Sequence, residues 1–174
     1  NTPMGVTRAI REKLLPSHQI FVGEMGARHV GDIREMCRLV HPTIGIITSV
    51  GPQHLETFKT IERVAATKYE LIEALPAEGS HSYFYDDASY VRQMYERSRK
   101  PKTLCGTDPE HCDCWCDEVR VSAEGSHFTL HIRGLGSIEC QTRLLGEHSI
   151  HNILLAAAVA ANLGLTLRQI SHGV

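Results

Sequence analysis

A chain of 174 residues, 42% hydrophobic and 22% charged, is long enough to bury one substantial core and has the composition of an ordinary globular protein. Its formal net charge of -2 argues against nucleic acid or an anionic membrane as the main partner. No apolar run approaches the ~18 residues of a membrane span and no signal peptide is legible, so a cytoplasmic protein without membrane insertion is expected, its six cysteines reduced.

Asn1 to Gly5 reads as a loop entering a short helix around Val6 to Leu14, broken by Pro16 and Ser17. An apolar strand at Ile20, Phe21 and Val22 ends in Glu24-Met25-Gly26-Ala27, and a helix near Gly31 to Val40 follows. A second apolar strand, Ile44 to Val50, ends in Gly51-Pro52-Gln53-His54. The next helix, Thr60 to Leu75, repeats apolar residues at Ile61, Val64, Ala65, Leu71, Ile72 and Leu75, the period of one buried face, and Lys68 falls on that face. This alternation has the spacing of βαβ crossovers and implies a parallel sheet.

A third strand, Ser80 to Tyr85, ends in Asp86-Asp87, which reads as the cap of a helix from Ala88 to Ser98. Lys100-Pro101 stops that helix, and Thr103 to Gly106 makes a short further strand. From Cys114 to Leu145 the period changes to two, with turns at Glu124-Gly125 and Gly134-Leu135-Gly136, as in an antiparallel meander. Gly146-Glu147-His148-Ser149 then leads into a helix over Ile150 to Leu163, with Ser149 suited to its N-cap and Gly164 to its end. Leu165 to Val174 reads as the start of a helix cut short, and Asn1 is not an initiator methionine, so a fragment is expected. The fold class is α/β: a mostly parallel sheet flanked by helices, with a small antiparallel sheet over residues 114–145.

Lys68 is the most informative residue in this pattern. Apolar neighbours three and four positions away draw its amine out of water, and desolvation favours the neutral, nucleophilic form. Such an amine can take up carbon dioxide as a carbamate, which converts a cation into an oxygen ligand for a hard metal such as magnesium. Glu24 and His54 each fall just past the carboxyl end of an expected strand, where open parallel sheets bind ligands. If those strands are neighbours, three polar groups converge on one crevice. Taken singly, each has an ordinary reading: an exposed carboxylate, a loop histidine and a snorkelling lysine. Asn152, in the first turn of its helix, is able to read a base or merely to face solvent. His111-Cys112-Asp113-Cys114-Trp115-Cys116 carries thiols two apart that could hold zinc, although structural zinc sites favour a second, distant pair.

Four ordered blocks resemble the ATP-dependent Mur ligases: Glu24-Met25-Gly26-Ala27-Arg28, Ile47 to Phe58 (Ile-Thr-Ser-Val-Gly-Pro-Gln-His-Leu-Glu-Thr-Phe), Ala66-Thr67-Lys68-Tyr69-Glu70-Leu71, and Leu145 to Asn152. The resemblance covers the central ATPase domain and nearly all of residues 1–174, and implies a P-loop-like sheet. Within the family the blocks look most like the member that joins D-alanyl-D-alanine to UDP-N-acetylmuramoyl-tripeptide through an acyl phosphate in peptidoglycan precursor synthesis. By this resemblance ATP and magnesium are the cofactors, and the expected form is a monomer. Glu24 matches the glutamate at the magnesium bridging the ATP phosphates. His54 and Lys68, the lysine carbamylated, match the catalytic pair at a second magnesium, while Asn152 and His148 match the adenine-binding turn. Ser149 and Ser49 depart from asparagines usual in the family. The glycine-rich phosphate loop is expected upstream of Asn1, and the UDP-binding N-terminal domain and the C-terminal domain outside this chain. Two alternatives are a folylpolyglutamate or cyanophycin type of ligase on the same ATPase domain, and a non-catalytic zinc module built on Cys112, Cys114 and Cys116.

Overall fold

The computed structural model describes residues 3–52, 55–87 and 89–174. They gather into two compact units, one formed by Asn1–Gly45 and Val50–Ser80, the other by Ile46–Ser49 and His81–Val174. Among the described residues no helix is long and apolar enough to cross a membrane.

The first unit is helical: α1 (Pro3–Lys13), α2 (Asp32–Val40), α3 (Leu55–Phe58) and α4 (Ile61–Ala74), with the first half of β1 (Ile44–Ile47). Thr60 starts α4 by accepting from the Arg63 N–H with its side chain, and Leu75 follows its last turn, so the expected limits hold to within a residue. Val6, Ile33, Met36 and Cys37 form a buried cluster on which Ile10, Met25, Ala27, Val40 and Leu71 pack. Gly45 admits no side chain without a shift, because a Cβ there would come within 3.2 Å of both Ile72 and Leu75.

Two strand expectations fail. Ile20, Phe21 and Val22 belong to no strand, and Val22 is 86% exposed. A strand exists by pairing, and among the described residues the six-stranded ladder takes no partner from this run, so an apolar sequence alone does not make one. The strand expected to reach Val50 ends at Ile47.

The second unit is built on a sheet of order β1-β2-β3-β4-β5-β6, in which β2 (His81–Tyr85), β3 (Lys102–Gly106), β4 (Cys114–Ser122), β5 (Gly125–Ile132) and β6 (Gly136–Thr142) follow chain order. β2 pairs with β3 and β3 with β4 in parallel, whereas β4, β5 and β6 pair antiparallel, as the change of period implied. Helix α5 (Tyr90–Arg97) packs on β2, α6 (Glu147–Asn162) lies across β2, β3 and β4, and α7 (Leu167–Gly173) packs on β6. Ile150, Leu154, Leu155, Ala157 and Ala158 form the buried face of α6. They meet a sheet whose Tyr83, Phe84, Leu104 and Leu130 are almost wholly buried. Asp87 caps α5 as expected: its carboxylate accepts from the N–H groups of Ser89 and Val91. Ser149 does not cap α6. That helix begins at Glu147 after Gly146, and the Ser149 hydroxyl donates instead to the Leu145 carbonyl, one turn back.

Candidate functional site

Within the first unit, Lys68 sits as the sequence pattern requires. Val64, Ala65 and Ile72 of α4 are buried around it, the residue itself is half-buried, and burial holds its amine below the ordinary lysine range. The buried part of α4 is broader than one stripe, because Thr67, Tyr69 and Glu70 are buried as well. Glu24 is exposed and stands in the non-strand segment after Val22 rather than at a strand end. His54 lies outside the described residues. Glu24 and Lys68 are nonetheless tied to one core. Met25, next to Glu24, and Leu71, one turn on from Lys68, both pack on the Val6–Ile33–Met36–Cys37 cluster.

Glu70 escaped the sequence reading. It is 3% exposed, and its two oxygens accept separately from the Gly31 N–H at 2.9 Å and the Arg34 N–H at 3.0 Å, at the start of α2. Periodicity carried no signal for it, because its partners lie 39 and 36 residues away in the chain.

In the second unit the first two turns of α6 carry the nucleotide candidates. His148 and Asn152 are exposed, and between them the half-buried His151 ring stacks on Tyr85 with centroids 3.9 Å apart and 22° between planes. The His148 ring meets His151 edge-on at 5.8 Å. Burial first, and then the neighbouring His148, hold His151 below the ordinary histidine range, with Glu147 opposing. Burial also raises the Tyr85 phenol, helped by the nearby acidic and thiol groups of Cys116, Cys112, Glu147 and Asp86. Tyr85 closes β2 at its carboxyl end, where parallel sheets receive ligands, and that position was the available clue to it. Asp86, next in the chain, is held by Arg92 at 2.9 Å.

Among the described residues no group of three or more His, Cys, Asp and Glu is placed to hold an ion. Cys112, Cys114 and Cys116 are buried, and desolvation pushes Cys112 and Cys116 up to about 11. Cys105 and Cys114 both point their sulfurs at the Leu154 carbonyl, and His111 bonds to Asp108 at 2.6 Å. Cys105 and Cys114 thus pack between the sheet and α6.

Residues 1–160 match the family described as Mur ligase middle domain. The UDP-N-acetylmuramoyl-tripeptide--D-alanyl-D-alanine ligase of Escherichia coli K12 is 28% identical over 174 residues, which is 100% of this chain and 38% of that protein. The ligase of the same name from Mycobacterium tuberculosis H37Rv is 31% identical over 97% of this chain and 32% of its own length. Among solved structures, MurF from Acinetobacter baumannii superposes with a TM-score of 0.84 at 25% identity, covering 92% of this chain and 35% of that one. MurF ligase from Thermotoga maritima, solved in complex with ADP, superposes with a TM-score of 0.83 over 95% of this chain and 38% of that one; at 23% identity the likeness is one of fold. The chain thus spans well under half the length of these relatives.

Proposed function

The chain belongs to the Mur ligase middle-domain family, and on that premise we propose that it is the ATP-binding core of a longer ligase joining D-alanyl-D-alanine to UDP-N-acetylmuramoyl-tripeptide. The observation that carries the reading is that relatives matched over essentially the whole chain bear this activity in their names. The desolvated Lys68 amine supports it independently of any likeness.

The reaction proceeds in two steps. The γ-phosphoryl group of ATP passes to the terminal carboxylate of the tripeptide, giving an acyl phosphate and ADP. The amine of D-alanyl-D-alanine then attacks the acyl carbon, the amide bond forms, and phosphate leaves with the electron pair of the broken C–O bond. Bound magnesium would offset charge on the transferring phosphoryl group. Glu24 would hold one such ion, and His54 with carbamylated Lys68 a second. The donor set suits a hard cation, since a carboxylate supplies oxygen and a neutral amine is the form that accepts carbon dioxide to become a carbamate oxygen donor. Asn152 reads the adenine edge, with one amide able both to donate and to accept, and His148 lies in the adjoining turn. The enzyme acts as a monomer in the cytoplasm, where ATP and a nucleotide-linked precursor are both at hand.

The test is product analysis by mass spectrometry with the longer ligase, ATP, magnesium and a panel of acceptors. Amide product from UDP-N-acetylmuramoyl-tripeptide and D-alanyl-D-alanine is the expected outcome. Product only with glutamate on a folate, or with aspartate and arginine on a growing polypeptide, would reassign the chain within the superfamily.

A further inference from the structure

Burying a carboxylate as deeply as Glu70 costs free energy unless its oxygens are paired. Here each oxygen has its own backbone donor, Gly31 for one and Arg34 for the other. Those donors open α2, a helix that starts at Gly31 with φ 98° and has no side-chain cap of its own. A negative group at that end is further favoured by the helix dipole. An acid on α4 therefore does the work of an N-cap for α2.

What this clamp holds is the segment running from Glu24 to α2. The near end of that segment packs through Met25 and Ala27 on the core that Leu71 of α4 also joins. Its middle is closed by Asp32, whose carboxylate accepts from the N–H groups of Arg28 and His29, both at 2.8 Å. Its far end is Gly31, in a left-handed conformation that suits glycine. Lys68 stands two residues before Glu70 on α4. One carboxylate thus joins the helix that carries Lys68 to the segment that carries Glu24.

We propose that Glu70 is a positioning residue, fixing segment 24–31 against α4 and with it the placement of Glu24 and Lys68, each for the magnesium ion it would help hold. The inference rests on the reading of Glu24 and Lys68 as magnesium-holding residues. Glu70 acts through them, since its oxygens are engaged by backbone. Glutamine isolates the effect: it keeps the shape but has one acceptor oxygen, so its NH2 group meets one of the two N–H donors.

The experiment is a free-magnesium titration of ATP turnover by the longer ligase, wild type against Glu70→Gln, Glu24→Ala and Lys68→Ala. Glu70→Gln is expected to raise half-saturating magnesium about 10-fold, as loss of support behind a metal ligand does, while kcat at saturating magnesium stays within about threefold. A purely structural role would lower the melting temperature and leave half-saturation in place. If Glu24→Ala and Lys68→Ala weaken the magnesium response but Glu70→Gln stays within about twofold of wild type, the positioning role is overturned and the site reading stands. If neither Glu24→Ala nor Lys68→Ala alters the magnesium response, the site reading fails first. Should Glu70→Gln not fold, amide exchange in the wild-type ligase decides. The Gly31 and Arg34 amides are expected to slow at least about threefold with magnesium and ADP, because ligand held on both sides of the clamp suppresses its opening. Unchanged exchange there would overturn the proposal.

Discussion

Replacing Glu70 by alanine should be among the most costly single changes in the first unit. Hydrogen bonds to charged groups are worth roughly 1.5–3 kcal/mol each, so losing the two from Gly31 and Arg34 is a gross loss of about 3–6 kcal/mol. The Arg34 guanidinium at 3.7 Å is about half exposed and adds little. Arg34 is itself exposed, so water can reach that end of α2 and replace part of what is lost; the expected net cost is therefore near the lower bound, about 3 kcal/mol. Glutamine, which keeps one acceptor, should cost about half as much. Urea unfolding followed by far-ultraviolet circular dichroism reads this directly: with a slope of about 1–3 kcal/mol per molar, alanine moves the midpoint down by roughly 1–3 M. If alanine and glutamine both fell within about 0.5 kcal/mol of wild type, or glutamine cost more than alanine, the idea of a buried carboxylate capping α2 would be refuted.

Asn152→Ala should raise the KM for ATP roughly 3- to 10-fold with kcat little changed, the loss of one or two neutral hydrogen bonds, checked by steady-state kinetics of the longer ligase. Gly125→Ala should prevent β5 from starting where it does, because φ is 138° and a Cβ would lie 2.0 Å from the Thr142 carbonyl oxygen; a melting temperature matching wild type would contradict this. Cys112 and Cys116 give a pH test. Their thiols titrate at about 11 against an ordinary 9.0, so the folded chain keeps protons that the unfolded chain releases. Their contribution is therefore intact below pH 9 and is lost between pH 9 and 11. Urea midpoints should fall over that window, and less steeply in a Cys112→Ala, Cys116→Ala double variant; equal slopes would be evidence against it.

Local signals in the chain were read well and non-local ones poorly. Thr60 and Leu75 mark α4 because caps and helical period are set by neighbours, and the meander of β4 to β6 is visible because alternation and turn glycines are too. The run at Ile20 to Val22 misled because apolarity says that a segment would be buried as a strand if a partner paired with it, and not that one does. Lys68 was legible from its apolar neighbours on the same helix. Glu70 was not, since its burial is set by a helix start in another part of the chain. The Tyr85–His151 stack is of the same kind, joining a strand end to a helix start that only the folded sheet brings together. The cysteine run looked chemical because thiols two apart on a strand share a face, but Cys112 precedes β4, and Cys114 turns its sulfur to the Leu154 carbonyl of α6.

Turnover of the longer ligase with Lys68→Ala, measured with and without added formate or acetate, bears most directly on whether a desolvated amine converted to an oxygen donor serves phosphoryl transfer. A loss of roughly 100-fold or more, partly restored by the short carboxylates, is the expected result. Turnover equal to wild type without any added carboxylate would remove Lys68 from the chemistry.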